Sequence, residues 1–270
     1  MTGYIDSDNA YCSTFECASY NVDEFYQARL SFFFSIVQEA AACHALLRKA
    51  SVPDLNKEGY TWVIARAIYD IEDYPSWPEN LLVRTWALDE RRYIAPRATE
   101  VRGEDGHLVL RCASNWAIVT SDSHRPVKPA FVNQRLVTAD DSKPGYANYI
   151  ESPRLGDISS AFTRTKIDMN YFDLDFNGHV NNIVYLDWML ESLSPEFLHS
   201  SQASRVDIAW HKEVYWKDEV YAAVAFVDPC TTRHRIEVAN ADGTVTIASE
   251  AEITWKPRVS HYVQAHKIEF

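Results

Sequence analysis

The stretch Asp173–Asn182, DLDFNGHVNN, crowds Asp173, Asp175, Asn177, His179, Asn181 and Asn182 into ten positions. Its opening, D-x-D-x-N-G, is how a calcium-binding EF-hand loop begins. Such a loop closes on a bidentate glutamate at its twelfth place, and here that place holds Val184. Calcium is therefore set aside, and neither a metal nor a cofactor is expected. What remains is carboxylate, amide and imidazole at alternating positions. In an extended chain Asp175, Asn177 and His179 fall on one side. The plainest role for Asn177 is to cap a following helix, yet a cap requires only one polar residue. An amide donor, a base and the free N–H groups of a helix start can together hold a carbonyl oxygen and activate water, which is the chemistry of acyl-group hydrolysis.

Two helices must position such a loop. Val22–Lys49 reads as the first: Asp23 can cap it, and Phe25, Leu30, Phe33, Phe34, Val37, Ala41, Ala45 and Leu46 recur near helical spacing. The second, VNNIVYLDWMLESL from Val180 to Leu193, turns Ile183, Leu186, Leu190 and Leu193 toward a core and stops at Pro195. Each is followed by alternating, β-branched and aromatic strands. In the first half these are TWVIARAIYDIE, LLVRTWAL, the stretch around ATEVRG, and HLVLRCASNWAIVT; in the second they are VDIAWHKEVYW, EVYAAVAFV, RHRIEVA and TVTIASEAEITW. GEDG and NADG are the matching hairpin turns.

The two halves repeat. Trp77 and Trp216 lie 139 residues apart (216 − 77), and Gly106 and Gly243 lie 137 apart (243 − 106). A long helix followed by antiparallel strands buries both in one curved sheet, so the expected fold is α+β, a tandem hotdog. A doubly wound parallel sheet would need helices between successive strands, and none is visible. The expected division is 1–125 for the first hotdog, 126–160 for a linker rich in turn formers, and 161–270 for the second hotdog.

Composition narrows the class. With 270 residues, 47% hydrophobic, 24% charged and only 8 glycines, the chain has the make-up of a folded globular protein. A formal net charge of −12 argues against a nucleic-acid partner, which would require a basic surface. The five cysteines, Cys12, Cys17, Cys43, Cys112 and Cys230, form no C-x-x-C and suggest neither a disulfide framework nor a zinc ribbon. The acidic N-terminus resembles no signal or transit peptide, and no apolar run approaching a membrane span is apparent. A cytoplasmic protein with no membrane partner is expected.

The stretch D-x-N-x-H-V-N-N followed by tyrosine and an apolar helix, filled here by Asp175, Asn177, His179, Val180, Asn181, Asn182 and Tyr185, resembles the acyl-acyl carrier protein thioesterases. IYDIEDYP, ASNWAIVT and IAWHKEVYW extend the resemblance over most of the chain. It implies a tandem hotdog that releases free fatty acid from acyl carrier protein, with the acyl chain held by the first half and the catalytic residues in the second. It also implies a further acid on a strand of the second hotdog, at Glu213. Val214 stands where plant members carry cysteine, so a thiol nucleophile at that place is excluded. The resulting site is Asp175, Asn177, His179 and Glu213, with Glu213 or His179 activating water, Asn177 and the helix start holding the carbonyl, and Asp175 orienting the others or attacking directly to give an anhydride.

His211, two residues before Glu213, would share its side of a strand. The run Phe32–Phe34 suits either an acyl tunnel or the core. Arg91, Arg92, Arg97 and Arg233 are candidates for docking an acidic carrier protein. A homodimer is a further expectation. The competing readings are a coenzyme A thioesterase, a hotdog hydratase and a noncatalytic acyl-binding module.

Overall fold

The computed structural model describes residues 3–139 and 162–259. The first half runs β1 (Tyr4–Ile5), β2 (Tyr11–Glu16), α1 (Leu30–Leu47), α2 (Val52–Asn56), β3 (Tyr60–Ile71), β4 (Asn80–Ala87), β5 (Ile94–Arg102), β6 (Leu108–Thr120), β7 (Pro126–Val127) and α3 (Ala130–Leu136). The second runs β8 (Thr163–Lys166), α4 (Val184–Leu190), α5 (Pro195–Ser200), β9 (Ser201–Trp210), β10 (Glu219–Asp228), β11 (Thr231–Ala239) and β12 (Val245–Pro257). The strands join one sheet in the order β1-β2-β4-β5-β6-β3-β9-β12-β11-β10-β8, with β7 on β6. In each half the sheet packs against one helix, α1 against β2 and β4, and α4 against β10 and β11. This is the tandem hotdog.

The two halves meet edge to edge, β3 against β9 in antiparallel register with Ile68 opposite Asp207. Ion pairs between described residues cross that seam. Arg66 donates to both carboxylate oxygens of Asp207 at 2.7 and 2.6 Å, and Arg205 pairs with Asp70. A planar guanidinium matches a carboxylate fork, so the pair fixes register as well as charge. The core is continuous beneath the seam: Phe33, Phe34, Ile36 and Val37 of α1 belong to one buried cluster with Leu186 and Met189 of α4 and Val206 and Ile208 of β9.

Both central helices are shorter than their apolar periodicity predicts. The first begins at Leu30 rather than Val22, because Asp23 accepts hydrogen bonds from Phe25 N at 2.9 Å and Gln27 N at 3.1 Å and so closes a tight turn instead of capping a helix. Either use satisfies free N–H groups, and the sequence pattern does not separate them. The second is helical only over Val184–Leu190. Helix α1 is also long and apolar enough to pass for a membrane span, contrary to the expectation that no run comes close. It is apolar around its girth because it is wrapped: eleven of its side chains, from Leu30 to Ala45, are buried.

The linker expected from 126 onward begins as ordered structure. Strand β7 pairs with β6, and Val132 and Leu136 of α3 pack with Ala45, Leu55 and Ile118 of the first half. The rest of that linker, 140–160, lies outside the described residues.

Candidate active site

Asp175–His179 is not extended. Asp175 N donates to the His179 carbonyl at 2.8 Å and Gly178 N to the Asp175 carbonyl at 3.0 Å, which closes a tight turn. Gly178 sits at φ +78, the left-handed region where a side chain would be strained. Asp175, Asn177 and His179 are therefore gathered by a turn and not by the pleat of a strand. Asp175 Oδ1 accepts from Asn177 N at 2.8 Å and from His179 N at 3.4 Å, while its Oδ2 accepts from Asn177 Nδ2 at 3.3 Å. The Asp173 carboxylate accepts from Asn170 N at 2.7 Å. The two aspartates that mimic an EF-hand thus serve backbone N–H groups. Among the described residues no cluster of three or more His, Cys, Asp or Glu side chains could hold a metal ion.

Glu213 lies beyond the end of β9, which stops at Trp210, on the connection to β10 and not on a strand. It reaches the turn because that connection pairs with it: Val180 N donates to the Val214 carbonyl at 2.9 Å and His179 forms an antiparallel bridge with Tyr215. The result is a compact triad. His179 Nδ1 stands 3.4 Å from Glu213 Oε1, and Tyr215 Oη donates to Glu213 Oε2 at 2.8 Å. The Tyr215 ring meets the His179 ring edge-on, centroids 4.8 Å apart. The hydrogen bond to the Glu213 carboxylate pushes the Tyr215 hydroxyl up to about 12, so it stays a neutral donor at ordinary pH. Tyr215 was not singled out in the sequence. Its signal was there, a hydroxyl two places from a carboxylate on a locally extended segment, but sequence alone does not tell it from the exposed aromatics around it.

The helix start does not serve as expected. Asn177 and Gly178 precede α4 by several residues, and the first N–H groups are taken within the loop. Ile183 N donates to Asn181 Oδ1 at 3.0 Å and Val184 N to the Asn181 carbonyl at 2.9 Å. Of the expected carbonyl-holding groups, Asn177 is the one that stays exposed beside the triad. Asn182 does something unforeseen. It donates to Gln38 Oε1 on α1 at 2.7 Å and its carbonyl accepts from Trp210 Nε1 at 3.2 Å, fastening the motif to the first half. Tyr185 is buried and donates to the Lys212 carbonyl at 3.4 Å, which steadies the segment carrying Glu213.

Other sequence candidates sort by burial and partner. His211 is exposed, 3.2 Å from Glu250, and takes no part in the triad. Of the docking candidates, Arg233 pairs with Glu252 at 2.7 Å and Arg97 is only 6% exposed, so Arg97 cannot meet a partner protein. Phe32 and Phe33 are core residues, whereas Phe34, stacked on Tyr69 at 3.9 Å, also lines an interior cavity.

The profile of the acyl-ACP thioesterase N-terminal domain matches residues 8–131, and that of the C-terminal domain matches residues 157–257. The chain belongs to the acyl-ACP thioesterase family. Among curated relatives it is similar to the chloroplastic palmitoyl-acyl carrier protein thioesterase of Gossypium hirsutum, at 24% identity over 92% of this chain and 64% of that protein. It is also similar to the chloroplastic oleoyl-acyl carrier protein thioesterase 1 of Arabidopsis thaliana, at 25% identity over 89% of this chain and 68% of that protein. The chain spans about half to two thirds of the length of the first curated relatives it matches (64% and 54%). Its fold is shared with the 12:0-ACP thioesterase of Umbellularia californica, at a TM-score of 0.80 and 20% identity, covering 93% of this chain and 98% of that one. An acyl-ACP thioesterase of Bacteroides thetaiotaomicron superposes with a TM-score of 0.76 at 22% identity, over 92% and 98%. For this family member the turn and its partner segment form the candidate active site.

Proposed function

We propose that the chain hydrolyses the thioester of a fatty acyl group carried on acyl carrier protein, giving free fatty acid and the carrier's thiol and so ending chain growth in fatty acid synthesis. The observation that carries this reading is the 3.4 Å approach of His179 Nδ1, on the turn that bears Asn177, to Glu213 Oε1 on the β9–β10 connection. A carboxylate on Nδ1 orients the ring and leaves Nε2 as the basic nitrogen, so His179 accepts the proton and Glu213 is its positioning residue. Water attacks the thioester carbon as its proton passes to His179 Nε2. The tetrahedral oxyanion collapses with cleavage of the C–S bond, and the same proton returns to the departing thiolate. Asn177 supplies an amide donor to the oxyanion, held in aim by Asp175. Both Asp175 oxygens accept hydrogen bonds from the turn, which disfavours its direct attack on the thioester.

In this reading the second half does the chemistry and the first half receives the acyl chain across the Asn182–Gln38 contact. The donor is the carrier protein rather than free coenzyme A. Tyr171, Phe172, Phe176 and Trp216 stand exposed around the turn, Phe172 at 92% and Phe176 at 83%, and such a surround suits a macromolecular donor. The free thiols of Cys12, Cys17, Cys43, Cys112 and Cys230 accord with a reducing, cytoplasmic setting. The test is release of thiol, followed with a thiol reagent, from acyl-carrier protein and acyl-coenzyme A of matched chain length. Turnover with the carrier thioester is expected to exceed that with coenzyme A. Binding of either thioester without thiol release would leave only an acyl-binding module.

A further inference from the structure

Between the halves lies a small interior cavity of ≈ 10 Å³, room for about one water. Asn182, from the motif, forms part of its wall, and so do Phe34 and Gln38 of α1 and Trp116 of β6. The wall formed by the first half carries Arg97 and, opposite it in register on β6, Ser114. A guanidinium is out of place in a site meant for hydrocarbon. Arg97 is nine-tenths buried, and its Nη1 contacts His44 Nδ1 at 3.1 Å and donates to Thr85 Oγ1 at 3.3 Å. Neither partner balances its charge. His44 is itself fully buried, burial and the neighbouring arginines push it down to about 3, and it is therefore neutral. No carboxylate among the described residues pairs with Arg97, and burial lowers the guanidinium to about 10, which still leaves it charged at neutral pH. A buried cation with neutral partners is costly to keep, and Arg97 faces the cavity with its charge unbalanced.

We propose that this cavity is the inner part of the acyl-chain site and that Arg97 makes the enzyme prefer acyl groups bearing an oxygen acceptor on the chain, a hydroxyl, a keto oxygen or a carboxylate, over plain hydrocarbon of the same length. The proposal rests on the thioesterase reading and names its substrate class. The acyl chain enters past Asn182, displaces the water the cavity has room for, and brings its oxygen to the Arg97 guanidinium, with the Ser114 hydroxyl nearby. A hydrocarbon chain entering the same way removes that water and returns nothing to the cation.

The experiment measures dissociation constants by calorimetry for non-hydrolysable pantetheine thioethers of one chain length, unsubstituted or carrying a hydroxyl, a keto group or a terminal carboxylate. The wild-type protein should bind at least one oxygen-bearing member roughly 10- to 100-fold more tightly than the unsubstituted one, the range for a hydrogen bond to a charged group. In Arg97→Met, which replaces the buried charge with an apolar side chain of similar length, the preference should fall to about twofold or less, and Arg97→Lys should keep part of it. Equal or tighter binding of the unsubstituted chain by wild type overturns the proposal, as does an undiminished preference in a folded Arg97→Met. If the variants do not fold, the wild-type series decides. Thiol release from the matching thioesters is read in parallel. Its absence throughout sinks the hydrolase reading, while its presence without any oxygen preference sinks the role of Arg97 alone.

Discussion

The turn Asp175–His179 has a twin in the first half at Asp23–Gln27. In the twin, Asp23 N donates to the Gln27 carbonyl at 2.8 Å, Tyr26 N to the Asp23 carbonyl at 3.1 Å, and Asp23 Oδ1 accepts from Phe25 N and Gln27 N at 2.9 and 3.1 Å. Ala28 N donates to the Pro75 carbonyl at 2.9 Å as Val180 N does to Val214, and Gln27 bridges Ser76 as His179 bridges Tyr215. The backbone was duplicated; the chemistry was not. Where the second copy has Asn177, His179, Glu213 and Tyr215, the first has Phe25, Gln27, Tyr74 and Ser76.

The fates of the side chains explain the difference. Gln27 is 3% exposed, donates to the Val259 carbonyl at 2.8 Å and accepts from Gln202 Nε2 at 2.8 Å. Asp23 pairs with Arg258 at 2.8 Å, and Tyr74 donates to the Ala203 carbonyl at 2.9 Å. The first turn has become a joint that fastens β9 and the residues just after β12 to the first half. The second turn keeps its imidazole and amide open to a ligand. The turn is thus a scaffold, and whether it is a site depends on whether its side chains are consumed by partners within the chain.

The largest effect expected from this contrast is at His179. His179→Ala should lower turnover on an acyl thioester by roughly 100- to 10,000-fold, the range of general-base catalysis, while Gln27→Ala at the matching place of the first turn should leave turnover per folded molecule nearly unchanged. Steady-state thiol release on both variants makes the comparison. A comparable loss at Gln27 would show that the two turns share the chemistry.

Gln27→Ala should act on stability instead. It strands the buried Gln202 amide and the Val259 carbonyl, at about 1–3 kcal/mol, read from urea unfolding midpoints at constant slope. Unaltered midpoints would mean that the joint contributes nothing.

A smaller effect is shared by the halves and set by pH, since among the described residues each buries a neutral histidine, His44 on α1 and His234 on β11, and burial pushes both down to about 3. A histidine depressed in the folded state leaves the unfolded chain to bind the proton first. Stability is therefore complete above about 6.5 and declines as pH falls from there toward 3, on the order of 1 kcal/mol per pH unit for each histidine. Unfolding midpoints at pH 7.5 and 5.5 check the sign, and replacing either residue by glutamine should flatten the slope by about half.

Much of this was legible in the sequence. Hairpin glycines, tryptophan spacing and the alternating strands are local signals, so the duplicated sheet could be read directly, whereas Glu213 entered the candidate site only through the family resemblance. The twin turn could not: DEFYQ and DFNGH share only their aspartate, and Tyr26 holds the left-handed conformation, φ +60, that glycine takes at Gly178. The first helix starts later than its pattern predicts because aspartate before an apolar pattern closes a turn as readily as it caps a helix, and the second because Asn181 takes the N–H groups of Ile183 and Val184. Arg97 looked like a surface charge because a strand pattern does not say which charged side chain points inward. Tyr215 and Gln38 became visible only once segments far apart in sequence were brought together.

The central claim is that the second turn works through the His179–Glu213 pair, and its most direct test is Glu213→Gln. Glutamine keeps the size and much of the hydrogen bonding to Tyr215 while removing the carboxylate that orients the imidazole. Thiol release from acyl-carrier protein should fall by at least about two orders of magnitude, with acyl-thioester binding and melting temperature little changed. A folded Glu213→Gln protein that keeps more than about a third of wild-type turnover would contradict the account.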